Sequence, residues 1–262
     1  MHTRLSLPLL AGLLIATGAL AAAPASGSAA AGSGGYTAAG IAGSTAATTP
    51  QPGDPLPACR YADVKTRYRK TADWQHSLVD TERKVARGYV PPDLVSVARA
   101  DIAGTGRVRS IVIDDLKAMA MAASHAGAGI AVRSAYRSYA SQVATFLSWV
   151  NRDGYQAALL ASARPGHSEH QLGTTIDFRS ANSSRAPWDY ADWATTAAGA
   201  WMMQNAWKYG FVMSYPKGKF QTVCYEYEPW HYRYFGRALA AQIHDSGQTT
   251  RRYLWKHFET AP

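Results

Sequence analysis

The chain has 262 residues, with 27 Lys and Arg against 18 Asp and Glu and a formal net charge of +9. A hydrophobic content of 47% with 8 Trp and 15 Tyr excludes a wholly disordered polypeptide, and the basic residues are scattered rather than run together, which argues against a dedicated nucleic-acid binder. Two cysteines without CxxC spacing exclude a thiolate metal site.

Residues 1–21 read as a secretory signal peptide. A basic start (His2, Arg4) leads into an apolar run from Leu5 to Leu20, and Ala19-Leu20-Ala21 fits a small-x-small cleavage sequence. The run is short, contains Pro8, and lacks a basic stop-transfer flank, so export with cleavage is favoured over a membrane anchor. No cysteine lies nearby to carry a lipid. Residues 22–57 are Ala, Gly, Ser, Thr and Pro almost without charge, which reads as a disordered linker. Residues 58–262 are then one domain, with no later run long enough to span a membrane. In an exported protein Cys59 and Cys224 are expected to form a disulfide. A monomer in an extracytoplasmic, cell-wall setting is the expectation.

In the folded part, SIVIDDLKAMAMAASHAG opens as a strand-like run, with Asp114 as N-cap of a helix whose apolar face carries Leu116, Met119, Ala120 and Ala123. IAVRS (130–134) reads as a strand. Ser138 caps a second helix with Val143, Phe146, Leu147 and Val150 on its apolar face. TTIDFRS reads as a strand, TTAAGAWMMQNAWKYGF as a helix stopped by Gly210, and FVMSYP as a strand. YEYEPWHYRYF is strand-like with an interruption at Pro229, and GRALAAQIHDSG is a closing helix. Helices and strands mix without a strict βαβ rhythm, so the expected class is α+β, an antiparallel sheet backed by helices.

The stretch SARPGHSEHQLGTTIDFRS brings His167, His170 and Asp177 within eleven positions. The helical HExxH pattern is absent, so ligands must come from a loop and a strand. Asp177 sits between Ile176 and Phe178, where a carboxylate needs a partner or a metal. Downstream, Glu228 precedes His231 by three residues, and Pro229 keeps Glu228 out of helical geometry. His and Asp from one strand with His and Glu from another make up a hydrolytic zinc site with its general base.

These motifs carry a resemblance. SEHQLGTTID is similar to the SxHxxGxAxD signature of the VanY-type D-alanyl-D-alanine carboxypeptidases, which are LAS-type zinc metallopeptidases. EPWHYRY resembles that family's second signature, and SAYRSYASQ the segment upstream of both. The likeness spans roughly residues 85 to 240, and Thr175 departs from it where the signature prefers Ala. The resemblance implies a LAS/hedgehog-like fold, a small antiparallel sheet carrying zinc, with His170, Asp177 and His231 as ligands and Glu228 as base. His167 then falls outside the ligand set, as a surface histidine or one behind the ligands. Arg137 is implied to hold substrate or stabilise developing negative charge, with Ser168, Gln142 and Trp230 as further substrate-binding residues. The implied substrate is a peptidoglycan stem peptide that loses its terminal D-alanine. An endopeptidase or dipeptidase acting on the same peptides, and a zinc-containing wall-binding domain without catalysis, are the alternatives. Glu228 argues against the last, since a binding module needs no base.

Overall fold

The structure, a computed structural model, describes residues 53–260. Its strands are β1 (Val64–Lys65), β2 (Arg83–Lys84), β3 (Leu94–Ser96), β4 (Arg107–Arg109), β5 (Ile130–Ser134), β6 (Thr175–Ser180), β7 (Phe211–Met213) and β8 (His231–Tyr234). Its helices are α1 (Ile113–His125), α2 (Tyr139–Asp153), α3 (Tyr155–Ala161), α4 (Ala197–Asn205), α5 (Phe220–Val223), α6 (Arg237–Asp245) and α7 (Thr250–Leu254). β1 and β2 form a small parallel pair and β3 and β4 an antiparallel one. The other four strands make an antiparallel sheet in the order β5-β6-β8-β7. None of the described helices is long and apolar enough to cross a membrane.

Strand alternation gives this sheet two unlike faces. Ile176 and Phe178 of β6, with Tyr232 and Tyr234 of β8, point into the main core. There they meet Leu116, Met119 and Ala123 of α1 and Met202 of α4. The intervening residues, Asp177 on β6 and His231 and Arg233 on β8, occupy the other face, and Asp177 pairs directly with His231 across the two strands. A second core lies between Leu78, Phe235, α6 and α7.

The α+β class with an antiparallel sheet is as expected, and Ser138 caps α2 by accepting from the Ser141 amide at 3.1 Å. Three local expectations are corrected. The run at 110–112 is a 3-10 turn rather than a strand; Val112 takes the N-cap, and Asp114 sits in the first turn of α1, where its charge still suits the helix dipole. On α2 the buried positions are Gln142 and Phe146, while Leu147 is half exposed, because the helix packs on the short α3 through Phe146, Ala158 and Leu159 rather than on the sheet. Only His231–Tyr234 of the aromatic run is strand; Pro229 confines the part before it to a turn.

Cys59 and Cys224 form the disulfide, with Cα atoms 5.3 Å apart. Contacts of the folded part reach back into the segment read as linker: the Asp54 carbonyl accepts from Trp255 Nε1 at 2.9 Å, and the Pro57 carbonyl from Arg251 at 3.1 Å. The signal-peptide reading and the remainder of the linker reading lie outside the described residues.

Candidate active site

A cleft of about 430 Å³ opens on the polar face of the sheet. Its floor is Asp177, His170 and His231; α2 and the end of α3 form one wall through Trp149 and Ser162, and residues 225–230 form another. Ligand-type atoms of His170, Asp177 and His231 all lie within 4.8 Å of one another, and all three residues are buried. Two of them come from the paired inner strands. His170 comes from a 3-10 turn, Glu169–Leu172, that Gly173 ends with φ 74°. A side chain at Gly173 would press on Leu94, Pro91 and Arg109 at 3.0–3.1 Å, so glycine serves both the turn and the packing.

Each histidine has one nitrogen tied down and one facing Asp177. His170 Nδ1 bonds the Ala135 carbonyl at 2.7 Å, which leaves Nε2 3.2 Å from Asp177 Oδ2 with no hydrogen-bond partner. His231 Nε2 meets Glu169 at 2.9 Å, and its Nδ1 lies 3.0 Å from Asp177 Oδ1. A buried, orphaned imidazole nitrogen converging with a carboxylate and a second imidazole fits a divalent metal with N and O ligands, and the hydrogen bonds behind both rings are the support that metal-binding histidines use.

The electrostatics agree. Burial, with help from Arg137, depresses His170 to about 4, so it is neutral with a lone pair available. Asp177 is held well below its usual range: burial opposes this, but His170 and His231 outweigh it. Burial likewise works against the charge on His231, yet hydrogen bonds to Asp177 and Glu169 raise it to about 10. The flanking carboxylates thus favour positive charge at this point, which without a metal is a proton on His231 that a bound metal ion would displace. Glu228, 3.5 Å from His231 Nδ1, is pushed up to about 7, chiefly by burial.

Glu169 and Arg233 were not singled out from the sequence. Glu169 is buried and accepts from Ser214 at 2.6 Å and from Arg233 at 3.2 Å while it holds His231. Burial would raise its pKa, but His231 and Arg233 overcome that and keep it ionised, at about 2. A signal existed for Arg233: in HYRY it stands two positions from His231 and so shares its face of the strand.

Arg137 lines the cleft, its NH1 3.3 Å from Ser134 Oγ and 3.9 Å from Asp177 Oδ2, with Nε unpartnered. Ser168 and Trp230 also line it. Gln142 is not among the lining residues: it is fully buried, and its amide donates to the Ala163 carbonyl at 2.7 Å, bracing the loop after α3. His167 lies outside the metal group but is no surface residue; it is buried, with Nδ1 2.8 Å from the Asp80 carbonyl and Nε2 2.9 Å from Asp63. Thr175 is fully buried, and its hydroxyl has no partner.

Known proteins are similar to this chain in sequence and fold. Residues 105–237 match the family model described as VanY, D-alanyl-D-alanine carboxypeptidase. A putative carboxypeptidase, YodJ, of Bacillus subtilis (strain 168) is 38% identical over 184 residues, covering 69% of this chain and 67% of that protein. A D-alanyl-D-alanine carboxypeptidase of Enterococcus faecium is 32% identical over 125 residues, 47% of this chain but only 35% of its own length. Among solved structures, the LdcB LD-carboxypeptidase superposes with TM-score 0.62 at 31% identity, covering 75% of this chain and 95% of that one. VanYB in complex with D-alanine-D-alanine gives TM-score 0.59 at 26% identity, over 70% and 99%. With its fold, its cleft and these relatives in agreement, the chain belongs to the VanY D-alanyl-D-alanine carboxypeptidase family.

Proposed function

We propose that the protein is a zinc-dependent carboxypeptidase that removes the terminal D-alanine from peptidoglycan stem peptides outside the cytoplasm. The observation that carries this reading is the convergence of His170, Asp177 and His231 beside Glu228, with Arg137 in the same cleft. His170 through Nε2, Asp177 through a carboxylate oxygen and His231 through Nδ1 are the residues that would hold zinc, which supplies a water acidified towards neutrality and an electrophile for the scissile carbonyl.

The chain's own residues do the rest. Glu228 takes the proton of the attacking water on its carboxylate and returns it to the leaving amine. A carboxyl raised by burial suits both halves of that transfer near neutral pH. Arg137 binds the substrate's terminal carboxylate or the developing oxyanion through its guanidinium. Asp177, 3.9 Å from NH1, helps to hold that guanidinium at the cleft. Ser168 and Trp230 contribute a hydroxyl and an apolar wall. Gln142 positions the wall that contains Ser162 and Ala163.

Cleavage of an L,D bond is the second reading, favoured by the likeness to LdcB. The test offers the protein a stem pentapeptide, ending in a D,D bond, and the corresponding tetrapeptide, ending in an L,D bond, and measures free D-alanine with added zinc and with chelator. Zinc-dependent release from the pentapeptide, lost in Glu228→Ala although metal is still bound, is the expected result. Release from the tetrapeptide alone would replace D,D by L,D specificity. Release from neither, with cross-linked fragments cut instead, would point to an endopeptidase.

A further inference from the structure

Glu226 is a carboxylate of the cleft for which the reaction above has no use. It lines the cleft and is exposed, and its side chain has no hydrogen-bond or ion-pair partner among the described residues. Its backbone is nevertheless fixed on both sides. Cys224 is bridged to Cys59, and the Glu226 amide donates to the Leu160 carbonyl at 3.3 Å. The Tyr227 hydroxyl donates to Asp192 at 3.2 Å, and the Glu228 amide to the Tyr215 carbonyl at 3.1 Å. A charge presented on a main chain already ordered binds a ligand without a further backbone ordering cost.

The charges that the reaction leaves uncommitted in the cleft give the sign of that ligand. Of the described residues lining it, Arg137 is the one Lys or Arg, against the carboxylates Asp177, Glu226 and Glu228. On the reading above Asp177 is committed to the metal and Glu228 to proton transfer, which leaves Glu226 as the lining carboxylate without a counter-charge. Once Arg137 engages a substrate carboxylate, no lysine or arginine of the lining faces Glu226. Tyr225, Tyr227 and Trp149 wall the same space. Such rings give a methylene stem an apolar bed and attract a cation to their faces.

We propose that Glu226 receives the amine-bearing side chain of a substrate residue upstream of the scissile bond, so that peptides with a free cationic amine there are preferred over those whose amine is acylated. This deepens the carboxypeptidase reading and rests on it. It makes uncross-linked stems, whose side-chain amine is still free, the preferred substrate class.

The test uses two stem pentapeptides that differ only in acetylation of the side-chain amine of a lysine at the third position. Wild-type protein is expected to cleave the free-amine peptide with a kcat/KM about fivefold higher, through KM, as for a partly exposed ion pair. Rising salt should erode that preference. Glu226→Gln is expected to treat the two peptides alike, and Glu226→Lys to reverse the order. Equal cleavage of both peptides by wild-type protein, or a preference that persists in Glu226→Gln, overturns this inference alone. Cleavage of neither peptide by wild-type protein overturns the D,D-carboxypeptidase reading and, with it, this inference as stated for pentapeptides.

Discussion

Glu169 Oε2 lies 2.9 Å from Nε2 of His231 and thereby turns that ring so that Nδ1 faces Asp177. The carboxylate is itself held by Arg233, which is completely buried and donates its other guanidinium end to the Trp74 carbonyl at 2.8 Å. Replacing Glu169 by Gln keeps its size but removes the charge behind His231. Zinc affinity, measured by chelator competition, is expected to fall about 10- to 100-fold. Glu169→Ala is expected to do more, because it leaves the buried Arg233 without a counter-charge; chemical unfolding should report a loss of about 3–5 kcal/mol.

Arg137 is expected to act on the charge of the substrate's end. Arg137→Ala should lower kcat/KM for a peptide substrate by about 10²- to 10³-fold. The same loss should appear when wild-type protein is given a peptide with an amidated C-terminus. The variant should then be indifferent to amidation. A variant that still discriminates would place carboxylate recognition elsewhere in the cleft.

His167 predicts an acid limit to stability. Burial first, and the nearby Arg164 second, hold its pKa below the ordinary value despite bonds to Asp63 and Asp80. The unfolded chain therefore takes up a proton that the folded protein resists. This share of the stability is complete above about pH 6.5 and is lost as pH falls through that value towards the depressed one. Asp63, held well below its usual range by Lys84 and His167, acts in the same direction at lower pH. Between about pH 7.5 and about pH 5 the Tm of wild-type protein should fall relative to that of a variant lacking the His167 imidazole. His167→Gln is that variant, and it should have the lower Tm at neutral pH.

The disulfide closes a separation of 165 residues and pins the start of the folded part beside the cleft wall at 225–230. The double variant Cys59→Ser, Cys224→Ser is expected to lose about 2–4 kcal/mol. For a domain of this size that corresponds to a Tm lower by about 5 to 15 °C, readable by circular dichroism. Reductant should reproduce the effect in wild-type protein and leave the double variant unchanged.

What the sequence revealed of this site followed from local rules. Asp177 between two apolar residues marks a strand with a carboxylate on its polar side, and Pro229 places Glu228 in the turn before His231. Gly173 announces the turn that carries His170. The partner of His231 was harder to read, because Glu169 is adjacent to a ligand in sequence yet contacts a strand residue 62 positions away. No periodicity reports a contact of that kind. Leu147 departs from the periodicity of α2 for a related reason. The helix packs on α3 through Phe146, and that tertiary packing decides which of its apolar residues are buried. Asp54 and Pro57 lie in a compositionally featureless stretch, and only their docking on the last helices draws them into the fold.

The site's placement on β6 and β8, the two inner strands of the sheet, bears on how such proteins diverge. Two of the three proposed metal ligands, Asp177 and His231, stand on paired backbone that admits neither insertion nor slippage, since a one-residue shift would send them into the core. Much of the rest of the cleft wall comes from connecting segments, among them Trp188 and residues 225–230, which hold no strand pairing in register. Descendants of one ancestor can therefore exchange one scissile bond for another by rewriting loops while inheriting the reaction intact. Solved structures named for D,D and for L,D cleavage are alike in sharing this fold.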